Sequence, residues 1–153
     1  MKVSLDTSVF SALLDSREPS RQALTQAFWN SKDQYQMVTG EVAQQEIGDN
    51  FDLDLRSQML SLLFGFEVYA ITTEARTIHH NLLQTGPFSA RTADDAMHIA
   101  IAAANHDDVL LSWNFKHLVN QRRRMLVNNI LVSIGYNESR SFHRRNYDVE
   151  QFK

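Results

Sequence analysis

The sequence predicts an α/β fold, an α/β/α sandwich with a mainly parallel central sheet flanked by helices. Three observations carry this reading. Short aliphatic runs alternate with stretches of helical periodicity along the whole chain, the pattern of strand–helix–strand units. Val109-Leu110-Leu111-Ser112 is apolar enough to be buried on both faces, as parallel strands under helices are. Between Thr92 and Asn105 lies a helix apolar around nearly its whole circumference, so it belongs inside the domain.

Val3-Ser4-Leu5-Asp6 reads as the first strand, and Thr7-Ser8 opens a helix carrying Val9, Phe10, Leu13 and Leu14. A second helix is expected from about Arg17 to Asn30, with Ser16 as its cap and Pro19 in its first turn, where a missing N–H costs nothing. Gln36 to Thr39 is the next strand. Glu41 to Gly48 is a short helix that ends in Gly. Leu53 to Phe64 places Leu55, Met59, Leu62 and Leu63 on one helical face, and a strand over Phe66 to Ile71 follows. Thr73 to Gln84 turns Ala75, Ile78, Leu82 and Leu83 inward, and Gly86-Pro87 marks a loop. After the apolar helix and the buried strand, a helical stretch leads to Arg122-Arg123-Arg124, and Asn129 to Ser133 is expected as a last strand. Residues 136–153 are polar and carry no clear pattern. The chain is expected to form one domain over residues 1–153.

The 153 residues are enough for a substantial core: 43% are hydrophobic, and Gly and Pro are scarce at 5 and 2. With no cysteine, disulfides, thiolate zinc sites and cysteine nucleophiles are excluded, and a reducing cytoplasm suits the chain. The N-terminal apolar run is broken by Asp6 and does not read as a signal peptide. No uncharged stretch approaches the roughly 20 residues that span a bilayer, so no membrane partner is expected. The formal net charge is −3, but residues 1–115 hold 15 acids against 7 Lys and Arg, while residues 116–153 hold 3 against 8. An acidic body beside a basic end suits a protein that gathers cations and holds a polyanion next to them, although a lopsided surface alone would look the same.

The chemistry-bearing residues are carboxylates. In the helix from Thr92, the residues Asp94, Asp95, His98 and Asn105 share one polar arc, with Asp95 at its apolar edge beside Ile99 and Ala102. A half-buried carboxylate needs a partner. Either it completes a capping box with Thr92, or it belongs to a site. Asp6 stands where an open α/β sheet binds its ligands, at the carboxyl end of a first strand, though Asp also makes a good N-cap. Glu41 and Glu46, taken alone, read as surface carboxylates. No glycine-rich phosphate loop, serine-nucleophile motif or tight histidine spacing competes. His79, His80 and His106 read as surface residues, His98 as a core histidine, and Trp113 and Phe115 as packing groups.

Taken together, Leu5-Asp6-Thr7-Ser8, Glu46-Ile47, Asp95-Ala96-Met97-His98-Ile99-Ala100 and Leu110-Leu111-Ser112-Trp113-Asn114-Phe115 resemble, in order and spacing, the PIN-domain nucleases, most of all their bacterial VapC-like branch. The resemblance implies a PIN-like fold and a divalent-metal-dependent endoribonuclease, with Mg²⁺ or Mn²⁺ as cofactor. Its first three acids fall on Asp6, Glu46 and Asp95, as metal ligands and catalytic residues. The fourth falls on Asn114, which offers a carbonyl oxygen but no charge. Such ions generate the attacking hydroxide and stabilise the leaving oxygen of a phosphodiester. The resemblance further implies RNA as substrate, a homodimer, and a small antitoxin protein as partner. Arg122, Arg123 and Arg124 are the candidate nucleic-acid contacts. The alternative, favoured by Asn114, is a PIN-fold binding or assembly module with weakened catalysis.

Overall fold

The computed structural model describes residues 1–114 and 121–136. Phe115 and residues 137–153 lie outside them, as do the side chains of Arg122, Arg123 and Arg124. Four strands form one sheet among the described residues: β1 (Lys2–Leu5), β2 (Gln36–Gly40), β3 (Glu67–Tyr69) and β4 (Val109–Leu111). Their order is β3-β2-β1-β4, and every pairing is parallel. Seven α-helices flank the sheet among these residues: α1 (Thr7–Leu14), α2 (Pro19–Asn30), α3 (Glu41–Gly48), α4 (Leu53–Leu63), α5 (Thr73–Thr85), α6 (Ala93–Ala104) and α7 (Gln121–Ser133). This is the PIN-like α/β arrangement the sequence predicts.

Side chains alternate across a strand, so consecutive residues feed opposite layers. Val3, Leu5 and Leu111 pack with Val9 and Phe10 of α1, Phe28 of α2, Ile47 of α3, and Met59 and Leu63 of α4. Phe10, Trp29 and Phe66 close this layer as a ring cluster, with Phe10 edge-on to both neighbours at 6.1 and 5.4 Å. Leu110 instead joins Ala75, Ile78 and Leu82 of α5, the apolar faces of α6, and Val127, Ile130 and Leu131 of α7. Each fully buried aliphatic side chain contributes on the order of 1.5–3 kcal/mol, so both layers are needed. The sequence α6 draws from is rich in alanine because the helix is buried from Ala96 through Ala102. It comes so close to β2 that a Cβ on Gly40 would stand 2.9 Å from Ile101 Cδ1.

The structure departs from the sequence reading at three helix ends. Asn129 to Ser133 is no strand but the last part of α7. Val127, Ile130 and Leu131 are buried while Met125, Leu126 and Val132 are exposed, which is helical spacing rather than alternation. The second helix begins at Pro19 behind Glu18, not behind Ser16, because proline fixes the first helical position. Thr92 makes no cap bond to α6; its hydroxyl closes the preceding 3-10 turn, exchanging bonds with Ser89.

A buried charge sits at the amino edge of the sheet. After α6 the chain reverses through His106, a left-handed residue with φ 53°, and enters β4 through Asp107. Neither carboxylate oxygen of Asp107 has a hydrogen-bond partner among the described residues. The Lys2 ammonium stands 3.4 Å from Oδ1. Burial pushes the Asp107 carboxyl up from about 3.8 to about 6, against the pull of Lys2 and of the nearby Ser4 hydroxyl. A carboxyl raised on folding favours the folded state while protonated, so its contribution is full below the unfolded pKa and lost as pH rises through about 6. Measured by chemical denaturation, the stability of wild type relative to Asp107→Asn should fall between pH 4 and 7. The whole drop is at most about 3 kcal/mol, since each tenfold change in acidity corresponds to about 1.4 kcal/mol. Parallel pH profiles for the two proteins would show that the carboxylate is not strained.

Candidate active site at the carboxyl edge of the sheet

In the order β3-β2-β1-β4, the chain leaves β1 toward β2 on one side and returns as β4 on the other. Open α/β sheets bind ligands at this reversal, outside the carboxyl ends of the strands. Asp6 follows β1 there and is 1% exposed. It is both N-cap and site residue: Oδ1 accepts from Ser8 N at 2.9 Å and Ser8 Oγ at 2.5 Å, and Oδ2 accepts from Ser112 Oγ. The two hydroxyls also bind the chain that leaves β4. Ser8 Oγ accepts from Trp113 N at 2.8 Å, and Ser112 Oγ accepts from Asn114 N at 2.9 Å. Burial pushes the Asp6 carboxyl up, opposed by the charge of His98 and by the Ser112 and Ser8 bonds.

His98 is the second buried polar group. It projects from α6 with 5% exposure, and its Nε2 lies 2.8 Å from Glu46 Oε1 on α3. Burial would lower its pKa. The Glu46 hydrogen bond, and the charges of Asp6, Glu46 and Asp95, outweigh burial and hold it above the usual imidazole value. These three carboxylates therefore share one electrostatic neighbourhood, drawn from the ends of β1, α3 and α6. Asp95 is half-buried in the first turn of α6 while Asp94 beside it is exposed, as the helical wheel requires. Of the two alternatives for Asp95, the capping box with Thr92 is not formed.

The remaining candidates separate cleanly. Asn114 is exposed just past β4, close to the site through its backbone. Glu41 has a structural task, accepting from Ile71 N at 2.9 Å. Trp113 packs into the aromatic layer and donates Nε1–H to Thr25 Oγ1 at 3.0 Å. His79 is not a free surface residue: its Nε2 lies 2.9 Å from Ala93 O at the start of α6. The arginine triplet lies in α7, with side chains outside the described residues. Ser8 and Ser112 are the partners of Asp6 that the sequence does not single out. Each is a hydroxyl beside an acid at a strand end, and serine is too common for spacing alone to mark it.

Asp6, Glu46 and Asp95 supply the hard oxygen donors that Mg²⁺ or Mn²⁺ prefers. Their placement does not match that chemistry. Asp6 is engaged by two serines and Glu46 by His98. Among the described residues no group of three His, Cys, Asp or Glu side chains is arranged to hold a metal ion. As placed, the site is a compensated carboxylate cluster with one face open to solvent at Glu46 and Asn114.

No protein-family model matches the chain, and no curated protein does. Among solved structures, it is similar to the crystal structure of VapBC2 from Rickettsia felis bound to a DNA fragment from their promoter. The TM-score is 0.55 and the identity 14%, over 78% of this chain and 92% of that one. At that identity the likeness shows the fold alone: the sheet and its helices are arranged as in that chain.

Proposed function

We propose that the protein is a nuclease of the toxin–antitoxin type, hydrolysing RNA phosphodiesters at the carboxyl edge of its sheet. The observation that carries this reading is the burial of Asp6 at the reversal of strand order, in one electrostatic neighbourhood with Glu46 and Asp95. A buried carboxylate is costly, and Asp6 beside the half-buried Glu46 and Asp95 at one sheet edge points to a site rather than to stability. In this reading Ser8 and Ser112 orient Asp6, Asp95 and Glu46 supply the remaining charge, and Asn114 stands at the rim where a phosphodiester enters. Mg²⁺ or Mn²⁺ stays in the proposal on the sequence resemblance, and its binding would need Asp6 and Glu46 to turn from their internal donors. No step is routed through it, because the side chains as placed do not form its coordination shell. Likeness to a VapBC2 assembly supports a small antitoxin protein as partner in the cytoplasm; a homodimer and phosphate contacts from Arg122, Arg123 and Arg124 complete the proposal.

A second reading, a nucleic-acid-binding or assembly module on the same frame, is favoured by the bond that engages Glu46 and by the uncharged Asn114. One set of assays separates the two. Wild type should cleave single-stranded RNA with added Mg²⁺ or Mn²⁺ and stop in EDTA. Asp6→Asn and Asp95→Asn should reduce cleavage by at least about a hundredfold, the scale of a lost transition-state contact, with circular dichroism unchanged for Asp95→Asn. RNA binding without cleavage in any metal would favour the module. Asn114→Asp restores a carboxylate at the rim with almost no change of shape. It should shift the metal dependence of cleavage to lower concentration by roughly tenfold, about 1.4 kcal/mol. Superimposable curves would place Asn114 outside the reacting sphere.

A further inference from the structure

We propose that His98 is the positioning residue of this site: it donates Nε2–H to Glu46 Oε1 and so fixes where the Glu46 carboxylate stands. The inference rests on the nuclease reading for its catalytic consequence, but the positioning itself rests on geometry. The bond is 2.8 Å long and joins residues 52 apart in sequence, tying α3 to α6. An ionised carboxylate only accepts, so the ring nitrogen facing it carries the hydrogen.

The two partners are not equivalent. The His98 side chain is 5% exposed and the Glu46 side chain 34%. His98 is held by its neighbours in the helix, since Met97, Ile99, Ala100, Ile101 and Ala102 are all core residues. Glu46 stands on a three-bond stem at the surface of a short helix, where a free side chain would sample several rotamers. The buried ring is therefore the anchor and the carboxylate the group that is placed.

Helix α3 does not need this bond to stay in place. Val42, Ala43 and Ile47 bury it, and Glu41 fastens its first turn to Ile71 N. Loss of the His98 donor should release a side chain and leave the helix where it is. That is the signature of positioning rather than of packing. Partners of this kind, which orient a site carboxylate from behind, typically change function by about 10- to 100-fold when removed.

The test compares wild type with His98→Gln, His98→Leu, Glu46→Gln and the double variant His98→Leu/Glu46→Gln, on one single-stranded RNA with Mg²⁺. Gln keeps an N–H donor at similar reach, and Leu keeps bulk without a donor. The proposal predicts that His98→Leu loses about 10- to 100-fold in cleavage. Glu46→Gln, which keeps an acceptor for His98 but loses the charge being placed, should lose at least as much, and the double variant no more than Glu46→Gln, because His98 acts only through Glu46. His98→Gln should retain most of the rate. Wild-type rates for His98→Leu or Glu46→Gln, losses that multiply in the double variant, or a His98→Gln loss that tracks melting temperature would each overturn it. A second readout needs no activity: the Glu46 side-chain carboxyl ¹³C resonance should move in His98→Leu while the backbone resonances of α3 hold still. If no protein cleaves RNA, the nuclease reading fails and this resonance alone decides. Its movement supports the positioning, and an unmoved resonance overturns it.

Discussion

The carboxyl edge of this protein depends on one constraint, the compensation of the buried Asp6 carboxylate. A charge removed from water is tolerated only when hydrogen bonds and opposite charge replace its hydration. Here the replacement comes from Ser8 on the following helix, Ser112 at the end of the neighbouring strand, and the field of His98. Satisfying Asp6 therefore joins β1, α1, β4 and α6 at one point. The same serine hydroxyls accept Trp113 N–H and Asn114 N–H, so the chain leaving β4 is held by the solution to the Asp6 problem. The site and the fold share their bonds.

The opposite edge solves a similar problem less completely. Asp107 is also a buried carboxylate at an end of the same sheet, but it has an ammonium at 3.4 Å and no hydrogen bond among the described residues. Its carboxyl is pushed to about 6. At Asp6 the protein has short, oriented donors, and at Asp107 chiefly a neighbouring charge. Oriented donors hold a carboxylate in one geometry, which chemistry needs. A bare ion pair neutralises charge without fixing direction, which suits a structural junction between α6 and β4.

Much of this layout is legible in the sequence because it follows from periodicity. The doubly buried strand at Val109, the inward faces of α4 and α5, and the position of Asp95 at the half-buried edge of its polar arc all stand as spacing rules require. Asn129 to Ser133 reads as a strand because it is short and apolar, and such a run fits strand or helix equally. Only the register of Val127, Ile130 and Leu131 against α5 and α6 makes it a helix. The site is legible as residue types, not as partners. Nothing in the spacing of Glu46 and His98 shows that a bond spans the 52 residues between them, or that Ser8 and Ser112 meet on Asp6. Those contacts are set by the crossover order of the strands. For the same reason spacing does not show that the oxygens of Asp6 and Glu46 face internal donors.

If the proposed reactive centre lies at the junction of β1 and β4, a divalent cation able to draw Asp6 and Glu46 from their internal donors should find it there. The most direct test is a titration with Mn²⁺ followed by amide nuclear magnetic resonance, since a paramagnetic cation broadens only the groups around its site. The amides of Ser8, Asp95, Trp113 and Asn114 should broaden first and together, and Asp6→Asn should abolish the effect. Broadening that begins instead at Asp107 and Asp108, or on the acidic start of α4 at Asp52 and Asp54, would contradict a reactive centre at that junction.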